Sequence, residues 1–462
     1  MNKVLSAEDF EVLAEKGLGR DSNAVAHSMV EFEGRLYVGT TVPAPRENEA
    51  LPRIVVFDPK TGEWETAYES DFVDCGSRAH SSDVQLLRGD GPSRRNRQQT
   101  GSTILPCDFG YRSMIVYQGK SDKKPCLYAT SMSLLGGRIL RSEDGQHFES
   151  VAEPGLGNSE VLSFRSLTEV NGKLYTAPVG TINDEFLDRN MAPESLVYVT
   201  SDPASGKWEV ACEPCLGDTN NESIFALGAC GDYLYAGTGN PKRGFQVWRT
   251  KGAGKAPFKW ECILDQGAYR YGLNFSAASL IEFNGALYIG GGITGFGYDK
   301  PNDIGPAAAE MIRVNEDGSW DLIFGEARFT PDGLKIPLAG AGPGLDDPYD
   351  SVTWSMAVHD GALYFGTHNW KPFSTVSHTK ESRPEGGYNV WGSADGEDWS
   401  LVLTGQDSNP CETGVRTLCS TKDGLYVGTF NHTRLVRVLG ALHGYEGNLD
   451  EFSDGFSVLR GA

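Results

Sequence analysis

The sequence predicts an all-β fold, a seven-bladed β-propeller with four antiparallel strands per blade, and three observations predict it. A phrase recurs seven times along the 462 residues: an apolar stretch, a tight Gly or Asp turn, then a Leu-Tyr pair followed by small and β-branched residues. The pairs are Leu36-Tyr37, Leu127-Tyr128, Leu174-Tyr175, Leu234-Tyr235, Leu287-Tyr288, Leu363-Tyr364 and Leu425-Tyr426. Strand-like units repeated at roughly 45–90 residues imply a radial or linear array, and four strands per unit imply a propeller. Alternating or doubly apolar strands, separated by Gly- and Asp-rich turns, fit sheets packed face to face around an axis.

Each blade reads as strands A to D from the axis outward. Strand A precedes the tight turn, at His27–Phe32, Arg112–Tyr117, Arg165–Val170, Phe225–Cys230, Ala278–Phe283, Trp354–Val358 and Arg416–Ser420. Strand B carries the Leu-Tyr phrase. Strand C is read at Arg53–Phe57, Arg138–Arg141, Leu196–Thr200, Phe245–Arg249, Met311–Val314, Tyr388–Trp391 and Arg434–Leu439. Strand D is short and opens on an aromatic: Trp64, Phe148, Trp208, Trp260, Trp320 and Trp399. The A–B turns Glu33-Gly34, Asn171-Gly172, Asn284-Gly285 and Asp360-Gly361 have the sequence of two-residue hairpins. The C–D turns Ser142–Gly145 and Ser393–Gly396 resemble Asp-box hairpins one residue short, and read as structural turns on the outer rim. Two segments compete for the last strand D. Phe10–Ala14 followed by Gly17-Leu18-Gly19 copies Phe148–Ala152 followed by Gly155-Leu156-Gly157, so the N-terminal strand is expected to close the ring. The C-terminal Phe456–Leu459 then adds or covers an edge.

One domain over residues 1–462 accounts for nearly the whole chain. No stretch of about eighteen apolar residues is present, as a membrane span would require, and the start lacks the apolar core of a signal peptide. Nine cysteines without metal-ligand spacing fit a reduced cytoplasm, and the lone CxxC, Cys212–Cys215, says little. A net charge of −21 argues against nucleic acid and anionic membrane as partners. A monomer acting on a small molecule is expected.

Loop length marks a working face. In such blades the A–B and C–D turns share one face, and the B–C and D–A loops share the other. The long insertions, Ser70–Gly110, Val179–Ser195, Ile293–Glu310, Gly325–Val352 and His368–Gly387, are all B–C or D–A. Functional side chains concentrate on loops held by a rigid scaffold. The residues opening the strands A, in register, are His27, Arg112, Arg165, Phe225, Ala278, Trp354 and Arg416. Three guanidinium groups converging on one axis need an anion or carboxylates to answer them. Either Arg112, Arg165 and Arg416 bind an anionic group, or each pairs with an acid such as Asp108, Glu160 or Glu412 and ties blades together. Tyr111, Phe225, Phe275 and Trp354 supply apolar walls, and His27, His368, Trp370 and His432 join them at the same mouth. Asp108, Glu160, Glu222, Asp350 and Glu412, each just ahead of a strand A, are candidate general bases. No metal motif is read, and no cofactor is needed for catalysis; the acid-rich loop Asp346–Asp350 is a candidate structural calcium site. The basic run Arg94–Arg97 reads as a solvated loop tip or a lid.

The stretch from Gly110 to Asp122, leading to Leu127-Tyr128 and Arg141-Ser142-Glu143-Asp144-Gly145, resembles bacterial propellers related to the cylindrocyclophane-type arene alkylase. That resemblance implies a seven-bladed propeller, which in the family follows a calcium-binding domain not read in this chain. It also implies alkylation of an electron-rich phenol or resorcinol by an alkyl halide, with arginine donors holding the departing anion and an acid deprotonating the phenol. It rests on strand and turn phrases, so the candidate site residues come from the register alone. A carbohydrate-active enzyme, sialidase-like hydrolase or lyase, would also use three channel arginines, on a substrate carboxylate. A non-catalytic propeller binding a ligand or protein would show an exposed patch and no enclosed pocket.

Overall fold

The computed structural model describes residues 3–43, 50–74, 104–181, 191–293, 297 and 306–462. The fold is mostly β. Antiparallel pairings among the described residues group the strands into four-stranded meanders. The first is Val25–Phe32, Arg35–Thr41, Arg53–Asp58 and Glu63–Glu69. The second is Gly110–Tyr117, Cys126–Met132, Ile139–Ser142 and Glu149–Ser150. In the third, both inner strands are interrupted: Val161–Phe164 and Thr168–Val170 face Pro178–Thr181 and Lys173–Thr176, with Tyr198–Thr200 and Glu209–Val210 outside. The fourth is Ser223–Cys230, Tyr233–Gly239, Val247–Thr250 and Glu261–Leu264, and the fifth Ser276–Phe283, Ala286–Gly292, Met311–Val314 and Trp320–Phe324. The sixth is Asp350–His359, Ala362–Asn369, Asn389–Ser393 and Ser400–Thr404.

The last meander uses both ends of the chain. Glu412–Thr421 pairs with Gly424–Asn431, then with Val458–Gly461, and finally with Phe10–Ala14, in the register Phe10 to Gly461 and Val12 to Leu459. The outermost strand is thus N-terminal, as read from the sequence. The third strand is a correction: Arg434–Leu439 lies in a helix, Thr433–His443, and the C-terminal strand takes the expected place. The run Arg-Leu-Val-Arg-Val-Leu carries enough β-branched residues to read as a strand. Its burial follows a helical period, however, with Thr433, Val436 and Gly440 inward and Leu435, Val438 and Leu442 exposed.

The Leu-Tyr phrase is explained by packing between sheets. Successive strand residues point to opposite faces, so each Leu enters the core shared with the preceding sheet and each Tyr the core shared with the following one. Leu127 packs with Tyr37, Leu174 with Tyr128, Leu234 with Tyr175, and Leu287 with Tyr235. Leu363 joins Tyr288 and Leu425 joins Tyr364; Leu36 of the first sheet joins Tyr426 of the last. Single backbone bridges, such as Val25 to Phe430 and Thr41 to Gly110, run between neighbouring sheets at one end. The A–B hairpins adopt the double positive-φ geometry expected, for example φ 51° and 76° at Glu33 and Gly34. In the Ser142–Gly145 turn, Ser142 Oγ accepts the Gly145 N–H at 2.9 Å, and Asp144 accepts the N–H groups of Gln146 and His147.

The long insertions carry their own structure. Gly325–Val352 holds the hairpin Arg328–Thr330 and Gly333–Lys335, and His368–Gly387 holds the helix Lys371–His378. The Arg94–Arg97 run lies outside the described residues. Among the described residues no helix is long and apolar enough to cross a membrane. Cys212 and Cys215 are both free thiols, and burial pushes Cys212 up to about 11.

Candidate functional site

The inner strands share one point of irregularity, and those of the sixth and last sheets slip a second time nearer their starts. Pairing registers slip between Ala26 and Ser28, Tyr111 and Ser113, Ile224 and Ala226, Ala277 and Ser279, Thr353 and Ser355, and Val415 and Thr417. The skipped residues are His27, Arg112, Phe225, Ala278, Trp354 and Arg416. In the third sheet the strand breaks at the equivalent Arg165, whose N–H is held by Ala177 C=O at 2.8 Å. A β-bulge adds one residue, kinks the strand and re-aims a side chain. The register read from the sequence is therefore a ring of bulges.

Six of these seven residues line a cavity of about 320 Å³: His27, Arg112, Arg165, Phe225, Trp354 and Arg416. Its upper wall includes Thr41, Phe109, Met132, Val179, Phe275, Ile293, Val352, His368, Phe430 and His432, from the ends of strands B and the starts of strands A. That is the face carrying the long B–C and D–A loops. Of the aromatic and histidine expectations, His27, Phe225, Phe275, Trp354, His368 and His432 are in place. Phe430 was not singled out, although its place near the end of a strand B, beside His432, was the available signal.

The arginines occupy the floor of the cavity. Arg165 stacks its guanidinium 3.8 Å from the Phe225 ring centre, and Arg416 lies 5.3 Å from that of Trp354. Burial holds Arg112 down to about 10; burial and then Arg112 hold Arg416 down to about 9. Arg165 is held well below the ordinary guanidinium value by burial, with Arg112 and Arg416 adding repulsion. Among the described residues no carboxylate pairs with Arg165 or Arg416, and no Asp or Glu lines the cavity. His27 is held well below its usual value by burial, then by the three arginines, and is neutral at pH 7. Its Nδ1 lies 2.9 Å from Thr41 Oγ1, and its Nε2 is buried without a hydrogen-bond partner in the described structure. His368 is lowered to about 3 by burial, and His432 well below 6.5 by burial and then His368.

The expected acids are elsewhere, for one physical reason. Asn23, Asp108, Asn221, Asn274, Asp350 and Glu412 each stand four residues before a ring residue and are buried. They form a collar at the strand D to strand A corners. At Asn23, Asp350 and Glu412 a hydroxyl on strand B donates to the collar residue and accepts the backbone N–H that opens strand C. Thr367 Oγ1 donates to Asp350 at 2.9 Å and accepts Asn389 N–H at 3.1 Å; Thr429 Oγ1 donates to Glu412 at 3.1 Å and accepts Ser457 N–H at 2.8 Å. Asp108 is bound by Arg138 instead, with Nε to Oδ1 at 3.1 Å. None of Asp108, Asp350 and Glu412 touches the ring arginines. Glu160 is exposed, and Glu222 is not part of the cavity lining.

Two aromatic expectations are corrected as well. Tyr111 alternates with Arg112, so it points into the core between sheets, its hydroxyl 3.4 Å from Asp108. Trp370 opens the helix Lys371–His378 and packs on Tyr349 at 4.9 Å, away from the cavity. In the candidate calcium loop, Asp346 Oδ1 accepts Gly342 N–H, Asp347 accepts Tyr349 N–H and Asn369 Nδ2, and Asp350 accepts Asn369 and Asn389. Among the described residues no group of three or more His, Cys, Asp or Glu is placed to hold a metal ion.

No family model matches the chain, and no curated protein matches it. Among solved structures, the polysaccharide lyase Uly1 aligns at 11% identity and TM-score 0.48, over 94% of this chain and 89% of that one. A PL25 ulvanlyase bound to -[GlcA(1-4)Rha3S]- aligns at 12% and 0.45, over 90% and 92%. The Niastella koreensis GH74 enzyme aligns at 11% and 0.46, over 92% of this chain. The chain spans about half of the longer matches, 53% of that GH74 enzyme and 47% of a prolyl endopeptidase. All these TM-scores lie below 0.5, and no role is carried over from them.

Proposed function

We propose that the chain is a seven-bladed propeller completed by Phe10–Ala14, and that its channel mouth is the active site of a monomeric enzyme acting on a compact organic anion. The observation that carries this is the cavity floor: three half-buried arginines, Arg112, Arg165 and Arg416, in a lining whose described residues include no Asp or Glu. Arg165 and Arg416 have no carboxylate partner among the described residues, and a ligand anion would answer them through charge-assisted hydrogen bonds. The walls of Phe225, Phe275, Trp354 and Phe430 suit an apolar, ring-sized body above the anion.

A neutral histidine is the proton acceptor at hand. With Nδ1–H assigned as the donor to Thr41 Oγ1, the lone pair of His27, a residue of the cavity lining, is on Nε2. In the alkylation that the resemblance implies, the carbon–halogen bond breaks as the aryl carbon–carbon bond forms. The halide is received by the guanidinium groups, the phenol O–H proton passes to His27, and loss of the ring proton from the alkylated carbon, with reprotonation of the oxygen, restores the aromatic phenol, so that one H–X is released overall. A histidine thus replaces the carboxylate base expected from the sequence. The carbohydrate reading survives in its lyase form. The same arginines would hold a sugar carboxylate while His27 takes the α-proton, a C=C bond forms between the α and β carbons, the β C–O bond breaks, and the leaving oxygen takes a proton from water. A sialidase-like hydrolase needs a Tyr-Glu pair, and neither residue type lines the cavity among the described residues.

Calorimetry with benzoate as the probe tests the site. Arg165→Gln or Arg416→Gln should weaken binding by about 2–4 kcal/mol, the usual loss for one preorganised donor in a dry pocket, with the melting temperature unchanged or raised as repulsion is relieved. Unchanged benzoate binding with a lowered melting temperature would make the arginines structural and overturn the proposal.

A further inference from the structure

The ring has empty space on both sides. Below it lies a second cavity of about 250 Å³, lined again by His27, Arg112, Arg165, Phe225, Trp354 and Arg416. The same side chains therefore form a partition across the channel. Beneath them the inner strands present a tier of hydroxyls, then a tier of Met and Leu that includes Met29, Met114, Leu227 and Leu418. Leu280 and Met356 in this lower tier are only half-buried, so the apolar collar is not sealed toward the A–B turns.

The hydroxyls are of two kinds. Ser28, Ser279 and Ser355 donate to carbonyls of the next sheet, those of Tyr111, Thr353 and Val415, at 2.9, 2.7 and 3.1 Å. Their hydrogens are committed to stapling sheets together. Ser113, Ser166 and Thr417 differ. Ser113 Oγ accepts the Leu167 N–H at 3.0 Å, which leaves its own hydrogen to donate, and Ser166 and Thr417 donate to no described residue. These three follow the three arginines directly in sequence: Arg112-Ser113, Arg165-Ser166, Arg416-Thr417. Free hydroxyl donors thus occur in the tier only beneath guanidinium groups.

We propose that the lower cavity is a second anion position, taking a small inorganic monoanion of halide size between the guanidinium groups and the hydroxyls of Ser113, Ser166 and Thr417. It is reached from the face opposite the organic ligand. The apolar collar admits weakly hydrated ions such as bromide in preference to strongly hydrated ones such as sulfate, because entry requires shedding water. This rests on the reading of the arginines as ligand-binding. It adds a separate route by which a halide enters or leaves while the upper cavity is occupied.

Bromide anomalous diffraction from crystals of the full chain tests it, paired with bromide quenching of tryptophan fluorescence in solution. A bromide peak below the ring, within hydrogen-bond reach of Ser113, Ser166 or Thr417, is expected. Ser166→Ala should then weaken bromide quenching about tenfold, the lower end for losing one hydrogen bond to a charged partner. Thr417→Val, nearly the same shape, should do the same and guards against a fold defect in the first variant. A peak only in the upper cavity, or quenching unchanged in both variants, overturns this proposal and leaves the upper site standing. No bromide near any arginine, together with benzoate binding that is indifferent to Arg165→Gln, removes the anion reading itself.

Discussion

Glu412 shows how a residue in the collar can be separated from one in the site. Its Oε1 accepts from Thr429 Oγ1 at 3.1 Å and Ser457 Oγ at 2.7 Å, and burial pushes its carboxyl up to about 7. A folded pKa above the unfolded value means that its contribution is fully present below about pH 4.5. It is lost as pH rises through about 7. Glu412→Gln keeps the shape and removes the charge. It should therefore raise stability at pH 8 by about 1–3 kcal/mol, given 1.36 kcal/mol per pKa unit, and change little at pH 4. Denaturant melts at the two pH values check this. The histidines act in the opposite sense. His27, His368 and His432 all have folded pKa values below 6.5, so their contribution is present above pH 6.5 and is lost as pH falls through the folded values. His368→Gln, with the cavity otherwise intact, should flatten the acid limb of the stability profile between about pH 6.5 and 3. An unaltered acid limb would show that the buried ring is not the group resisting protonation. At this scale the arginines were legible and the acids were not. Arg112, Arg165 and Arg416 repeat at one register within one strand, a pattern visible along the chain. The acids find their partners on strands B and C, and a pairing across strands leaves no trace in local spacing.

Among the elements, the two Asp-box-like C–D turns are hairpins whose glycines meet a neighbouring sheet. A Cβ at Gly145 would lie 1.9 Å from Tyr37 Oη, and one at Gly396 would lie 2.1 Å from Tyr288 Oη. The C–D turn of one sheet thus seats on the Leu-Tyr tyrosine of the sheet before it, which ties two separately legible motifs into one contact. Gly62 offers a control, with the same positive φ of 74° as Gly145 and nothing within 4 Å of its Cβ. Gly62→Ala should cost only the left-handed penalty, about 1–2 kcal/mol. Gly145→Ala should exceed it by about 1–3 kcal/mol, because the tyrosine or the turn must move. Equal losses in the two melting curves would mean that the turn does not bear on Tyr37. The strand phrases were readable because alternation sends Leu and Tyr to opposite faces. The helix Thr433–His443 was not, since a six-residue apolar and basic run satisfies both periods and only the burial of Val436 and Gly440 decides between them.

For the whole molecule, the consequence lies where the chain's ends meet. Phe10–Ala14 is the outer strand of a sheet whose other three strands come from residues 412–461. The segment ahead of it is anchored too: Leu5 N–H donates to Tyr364 Oη at 2.9 Å, and Val4, Leu5 and Phe10 pack on the core between the sixth and last sheets. Burying three or four such side chains stabilises by several kcal/mol at about 1.5–3 kcal/mol each. Their removal also bares the edge of Val458–Gly461, and an unpaired edge recruits other chains. Deleting residues 1–16 should therefore lower the melting temperature sharply and produce aggregates visible by light scattering. Deleting residues 1–3, which leaves Val4, Leu5 and the strand in place, should do neither. The match between Phe10–Ala14 and Phe148–Ala152, each followed by a Gly-Leu-Gly corner with two left-handed residues, made this closure readable from sequence. A truncated chain that stayed monomeric with an unchanged melting temperature would mean that Val458–Gly461 holds the last sheet unaided, and that the N-terminal strand merely covers it.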